Sequence, residues 1–135
     1  MTSRNNSNER IVVDLDTQTL KAYENSKVVF ALDCVTGDKN HQTEPGTFHV
    51  FRKDRNHVSH TYNVPMHYAM FFRHDGKALH PYHGLVPLAM VRALKETVTD
   101  YLGSHGCVRL TENDARELFD WTPVGTVVTV QGHLI

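Results

Sequence analysis

The sequence predicts a mainly β domain with two helices late in the chain, and three observations carry that prediction. Short β-branched and aromatic runs recur from Ile11 to Phe72, separated by turn formers such as Asp16-Thr17-Gln18 and Asn25-Ser26, the spacing of successive hairpins. A helical period first shows at Pro87 to Leu102, with apolar residues at 88, 91, 94, 98 and 101 or 102 and a proline suited to the first turn. The length, 135 residues, suits one compact domain, which buries roughly two thirds of the surface its unfolded chain exposes.

Residues Met1 to Glu9, rich in Asn and Ser and without an apolar face, read as a mobile lead-in, with the domain running from Arg10 to Ile135. Ile11 to Leu15, Leu20 to Tyr23 and Val28 to Phe30 are three strands, the third continuing through Cys34-Val35 to Gly37, a position that suits a turn of positive φ. A polar loop from Asp38 to Gly46 precedes Thr47 to Phe51, whose polar-apolar alternation marks a half-buried strand. The charged stretch Arg52 to Thr61 reads as an exposed loop. Val64 to Phe72 returns to β character, with Pro65 confined to the strand start. Beyond the Asp75-Gly76 turn, Ala78 to Tyr82 leads to His83. Thr111 is placed to cap a second helix reaching about Trp121, supported by Asp114 in its first turn. Pro123 and Gly125 stop that helix, and Thr126 to Val130 is a closing strand.

A net charge of −1 with histidines neutral lacks the positive excess that nucleic-acid binding demands, so a nucleic-acid partner is not expected. No run approaches the roughly 20 apolar residues of a membrane span. The polar start has no apolar segment of signal-peptide type, so the expectation is a chain that stays in the cytoplasm, leaves by another route, or is a mature fragment. Two cysteines, Cys34 and Cys107, are too few for a disulfide scaffold.

Chemistry concentrates in Ser104-His105-Gly106-Cys107-Val108-Arg109-Leu110, with a second His-Gly pair, His83-Gly84, 24 positions before the cysteine. A free thiol is only a few per cent thiolate at neutral pH, so a nucleophilic cysteine needs a base or a cationic neighbour. His105, two residues away, and His83, from another segment, both qualify. Gly106 lets a substrate carbonyl approach the backbone, where the N–H groups of Gly106 and Cys107 can form an oxyanion hole. A bridge to Cys34 would silence the thiol. An isolated cysteine is more often a small buried hydrophobe; the two His-Gly pairs favour the nucleophile.

These residues resemble the L,D-transpeptidases of the YkuD type, whose signature is an upstream His-Gly, then Ser/Thr-His-Gly-Cys, an apolar residue and Arg or Asn. The resemblance extends from about Ile11 to Val130 through Val12 to Leu20, Thr36-Gly37, Thr43 to Phe48, Met66 to Phe72 and Val124 to Val128. It implies a β-sandwich or barrel of mixed sheets and an enzyme of peptidoglycan. In that reading Cys107 attacks the third-residue carbonyl of a stem tetrapeptide, usually diaminopimelate, expels D-alanine and holds the acyl group as a thioester. An amine or water then takes it. His83 is the implied base, oriented by a carbonyl near Gly84, while His105, Gly106 and Cys107 shape the oxyanion site. Arg109 anchors a substrate carboxylate or braces the loop, and Ser104, Tyr68, Met70 and Gly84 are further candidates for substrate contact. No cofactor or metal is implied. The location implied is the periplasm or cell envelope.

The chain departs from the family pattern in three ways. Twenty residues separate His83 from Ser104, more than the family usually has, and the excess coincides with the helix Pro87 to Leu102, read as an enlarged wall over the cleft. His80, three residues before His83, has no glycine after it and ranks below it as a base. Glu44 and His67 stand where the family often has proline. Rival readings are an L,D-carboxypeptidase, possible as a secreted effector against a competitor's wall, a catalytically dead wall-binding module, and a metalloprotein using His57, His60, His80, His83, His105 and Cys107. The dead module would lack Cys107 or His83, and the histidine spacings match no zinc pattern.

Overall fold

Two turn segments fold the first three β-rich runs into an antiparallel meander of β1 (Glu9–Asp14), β2 (Thr19–Glu24) and β3 (Lys27–Asp33). The Asp14 carboxylate accepts from the N–H groups of Asp16 (2.9 Å) and Thr17 (3.2 Å), an Asx-type turn. Asn25 and Ser26 both take positive φ, 54° and 75°, as a two-residue hairpin with the twist of its strands requires. The computed structural model describes residues 8–36, 43–59, 64–74, 77–81 and 107–132. The expected helix from Pro87 to Leu102 lies outside them.

The closing strand β9 (Val127–Gln131) enters between the meander and β4 (Gly46–His49), parallel to β1 and antiparallel to β4, giving the order β3-β2-β1-β9-β4. A second sheet holds β5 (Arg52–Ser59), β6 (Val64–Phe71), β7 (Ala78–Pro81) and β8 (Val108–Leu110) in that order, with β7 and β8 parallel. The core joins Ile11, Val13 and Val128 of the first sheet to Met70, Leu79 and Val108 of the second. Helix α1 (Glu112–Trp121) closes it with Leu118 and Phe119, packing on β6 and β7. The fold is thus mainly β with mixed sheets, as expected, and shows one helix among the described residues. None of the described helices is long and apolar enough to cross a membrane.

Both ends of α1 are secured by polar groups. The Thr111 hydroxyl accepts from the Asp114 N–H at 3.2 Å, and Glu112 and Asp114 place negative charge in the first turn. The last turn has no basic residue of its own. Lys53 supplies one from β5: its Nζ donates to the carbonyls of Phe119 (2.6 Å) and Thr122 (2.7 Å), where the helix dipole favours a cation.

Three boundaries differ from the sequence reading. The domain's first strand begins at Glu9, which is buried, so that residue belongs to the fold and not to the lead-in. β3 stops at Asp33, and Val35 instead bridges Arg109. The stretch from Arg52, expected as an exposed loop, is strand β5, paired with β6 from Arg52↔Phe71 to Ser59↔Val64. Its apolar alternation is missing because one face carries Arg52 and Asp54 to solvent while the other covers the Phe119 ring with Lys53 and Arg55, 4.3 and 5.1 Å away. Cation–π contacts take the place of hydrophobic packing there.

Leu118→Ala leaves a cavity under a fully buried side chain and should cost about 2–5 kcal/mol. Thr111→Ala removes the cap for about 1 kcal/mol, and Lys53→Met should cost about 1–2 kcal/mol through the helix C-terminus. Urea unfolding of the three variants measures this order.

Candidate active site

Register determines which side chains share a face of the second sheet. Phe71 lies opposite both Ala78 and Arg52, Ala69 opposite Asp54, and across the parallel pair Leu79 meets Val108 and His80 meets Arg109. Met70, Leu79, Val108 and Leu110 enter the main core, whereas Ala69, Phe71 and Ala78 form a separate cluster against which Cys107 packs. Because side chains alternate along a strand, Arg109 and His80 stand with Cys107 on this second, outer face. Two rows therefore cross the sheet. One runs Cys107, Ala78, Phe71, Arg52; the next runs Arg109, His80, Ala69, Asp54.

Cys107 is half-buried at the head of β8 and Cys34 is fully buried in the core; neither is in a disulfide. Cys107 packs against Ala69, Phe71 and Ala78. At the far end of its row the Arg52 guanidinium lies 4.9 Å over the Phe71 ring and 3.1 Å from the Asp54 carboxylate.

The three residues of β8 are held on both edges. β7 pairs with one edge, and on the other the N–H groups of Val35 and Arg109 each donate to the opposite carbonyl at 2.9 Å. Val35 is fixed in turn by a buried amide network. Gln18 Nε2 donates to the Leu15 carbonyl (3.0 Å) and the Thr36 hydroxyl (2.7 Å), while the Thr36 N–H donates to Gln18 Oε1 (3.0 Å). Sequence reasoning missed Gln18, reading it only as a turn residue; its signal is an amide between Leu15 and Leu20 whose partner is 18 residues away.

His80, half-buried on β7, places Nδ1 2.7 Å from the Pro81 carbonyl. Tyr68 and Met70 are not brought to Cys107. Met70 is buried in the main core, and the Tyr68 ring packs there too, edge-on to Phe119 at 5.6 Å. Tyr68 also has φ 56° within a strand, a conformation that costs a bulky residue about 1–3 kcal/mol. His83, Gly84, Ser104, His105 and Gly106 lie outside the described residues. A separate cleft of about 450 Å³ is lined by Glu44, Pro45, Phe48, Phe72, Arg73 and His74, none of them a nominated site residue. Among the described residues, no group of three or more His, Cys, Asp or Glu is placed to hold a metal ion.

A sequence model described as the L,D-transpeptidase catalytic domain, YkuD, matches residues 8–130. No curated protein matches the chain. Among solved structures, an L,D-transpeptidase from Stackebrandtia nassauensis is similar at 29% identity and TM-score 0.80, covering 95% of this chain and 57% of that one. A cysteine-to-serine mutant of the Enterococcus faecium L,D-transpeptidase is similar at 26% identity and TM-score 0.74, covering 92% of this chain and 50% of that one. An L,D-transpeptidase from Mycobacterium smegmatis, 20% identical with TM-score 0.75, shares the fold over 93% of this chain and 59% of its own. The chain thus spans little more than half the length of these proteins. With the match running from the first described residue almost to the end of β9, the chain belongs to the YkuD family of L,D-transpeptidase catalytic domains.

Proposed function

We propose that this domain cross-links peptidoglycan through a thioester on Cys107. The Cys107 thiolate attacks the carbonyl between the third and fourth residues of a stem tetrapeptide, the terminal D-alanine leaves as an amine, and an amine of a neighbouring stem takes the acyl group. The observation that carries this reading is the place of Cys107 within a YkuD domain: half-buried, outside the main core, against the cluster of Ala69, Phe71 and Ala78. A half-buried thiol outside the main core is open to attack on a substrate in a way that the fully buried Cys34 is not. Peptidoglycan as substrate puts the site of action in the cell envelope.

Roles for the remaining residues follow the family resemblance. Backbone N–H groups at Gly106 and Cys107 receive the oxyanion, a contribution worth about 10²–10³ in rate. Arg109, on the nucleophile's face and next to His80 in register, is suited to a bidentate contact with a substrate carboxylate. A histidine takes the thiol proton, and His83 is the one that the sequence motif nominates.

Incubation with disaccharide tetrapeptides followed by mass spectrometry should give cross-linked dimers and free D-alanine, both abolished in Cys107→Ala. Tripeptides without dimers would mean that water is the acceptor and the enzyme trims. No D-alanine release from the wild type would overturn the reading. In the folded protein, a carbapenem or iodoacetamide should add its mass to Cys107 and none to Cys34, with Cys34 reacting only after denaturation, as peptide mapping checks.

A further inference from the structure

We propose that the cleft beside the β6–β7 hairpin binds the acceptor stem peptide by its carboxyl terminus, with Arg73 taking the carboxylate and Glu44 standing in for it in the free enzyme. This rests on the reading of Cys107 as the carrier of an acyl group that an amine accepts.

The strand ends put the cleft near the sulfur. β6 ends at Phe71, β7 begins at Ala78 and β8 begins at Val108, with Phe71 opposite Ala78 and Leu79 opposite Val108. Cys107 and the β6–β7 hairpin therefore stand at the same end of the second sheet. From Cys107, Arg73 is two strand spacings across and two residues along, roughly 12 Å at Cα. The hairpin is closed where the Lys77 carbonyl accepts from the N–H groups of Phe72 (3.1 Å) and Arg73 (3.4 Å), so Arg73 is carried on a tied turn.

The cleft, about 450 Å³, joins an apolar floor to a few converging polar groups, the usual make-up of a ligand site. The Phe48 and Phe72 rings meet at 5.6 Å between centroids, and Phe72 is buried. Gly46 leaves room for Phe48, since a Cβ there would come within 2.9 Å of the ring. Above this floor the Arg73 guanidinium lies 5.6 Å from the centre of the Phe48 ring and 2.8 Å from the Glu44 carboxylate. The Arg73 side chain is 24% exposed and that of Glu44 55%. The cation is thus held by the fold, and its anion is the loose partner. Such a pair contributes little net stability, so an incoming carboxylate displaces Glu44 without leaving a charge bare. The planar fork of an arginine matches a carboxylate with two parallel hydrogen bonds. Glu44 stands where the family often has proline, so the family pattern does not account for the pair.

Length decides which terminal carboxylate belongs there. In the donor it lies three bonds from the carbonyl carbon that Cys107 attacks, about 4 Å, too short to span the gap. In the acceptor, nine bonds separate the attacking side-chain nitrogen of a diamino acid from the carboxyl carbon of the D-alanine that follows it, about 11 Å when extended. A hydrogen bond of about 2.9 Å to the guanidinium completes the span. The nitrogen bonds to the thioester carbon as the C–S bond breaks, and the proton it sheds ends on sulfur.

The test reads how the thioester divides between amine and water, as the ratio of dimer to tripeptide by mass spectrometry. The donor is an unlabelled disaccharide tetrapeptide; the acceptor is an isotopically labelled tetrapeptide, either as the free acid or as its terminal amide. The ratio counts completed turnovers only, so it does not depend on how much of a variant is folded. In the wild type the acid should exceed the amide at least about tenfold, as loss of a charged hydrogen-bond pair predicts, and Arg73→Gln should abolish that preference. Glu44→Gln removes the competing carboxylate and should raise the ratio for the acid by about threefold. A purely structural ion pair would instead make both variants fall together. Equal ratios for acid and amide in the wild type, or an acid preference that survives Arg73→Gln, would overturn the proposal. So would slower D-alanine release in Arg73→Gln with the ratio unchanged, which would put a carboxylate of the donor in the cleft. If removing the sugars from the acceptor lowers the ratio in the wild type and not in Arg73→Gln, the cleft holds a saccharide and the proposal fails. In each of these cases dimers still form and the reading of Cys107 stands. D-alanine release without dimers from any acceptor would remove the cross-linking reading together with the acceptor site, and no release at all would remove the reading of Cys107 itself.

Discussion

Three residues, Val108 to Leu110, are clamped from both sides, and the arrangement of the site depends on that clamp. β7 supplies one edge, and the paired 2.9 Å hydrogen bonds between Val35 and Arg109 supply the other. Val108 and Leu110 are fully buried, so the strand cannot rotate without exposing both, and Cys107 and Arg109 are committed to the opposite face. A strand this short would not hold a register by itself. It holds one because the Gln18 amide, itself buried, fixes Thr36 and with it the segment that runs along β8. The strand that follows Cys107 is thereby tied to a turn near the start of the chain.

The helix that follows turns the same clamp into a continuous support. One residue separates Leu110 from the first turn of α1, and that residue, Thr111, is the cap. Cys107, buried strand, cap and helix thus occupy consecutive positions, and each end of the helix is fixed by a group from elsewhere or by its own cap. Lys53 matters here twice, since its ammonium lies 4.3 Å from the centre of the Phe119 ring and also closes the last turn. A displacement of β5 would be felt at α1, and through it at β8.

Much of the fold was legible because local signals and tertiary structure agree. The Asn25-Ser26 turn, the Thr111 cap with Asp114, and the alternation of Val127 to Val130 each state their structure within a few residues. β5 was illegible for the opposite reason: its inward face carries Lys53 and Arg55, whose cationic groups lie over the Phe119 ring where a strand pattern would have hydrophobes. At the candidate site, Cys107 and Arg109 stand out in the sequence because their motif occupies consecutive residues. The place of His80 beside Arg109 does not, because a register between segments almost thirty residues apart leaves no mark in either. Met70 and Tyr68 were nominated from a stretch of strand read without its pleat; one residue along, Ala69 and Phe71 are the ones that face the sulfur.

β9 lies in the middle of the first sheet, parallel to β1, so that Arg10 sits beside Val127 and Asp14 beside Gln131. The first and last strands of the domain are therefore neighbours, and parallel pairing over so long a sequence separation closes late and slowly. The opening meander by itself has a bare edge along β1, and only the last strand of the domain covers it.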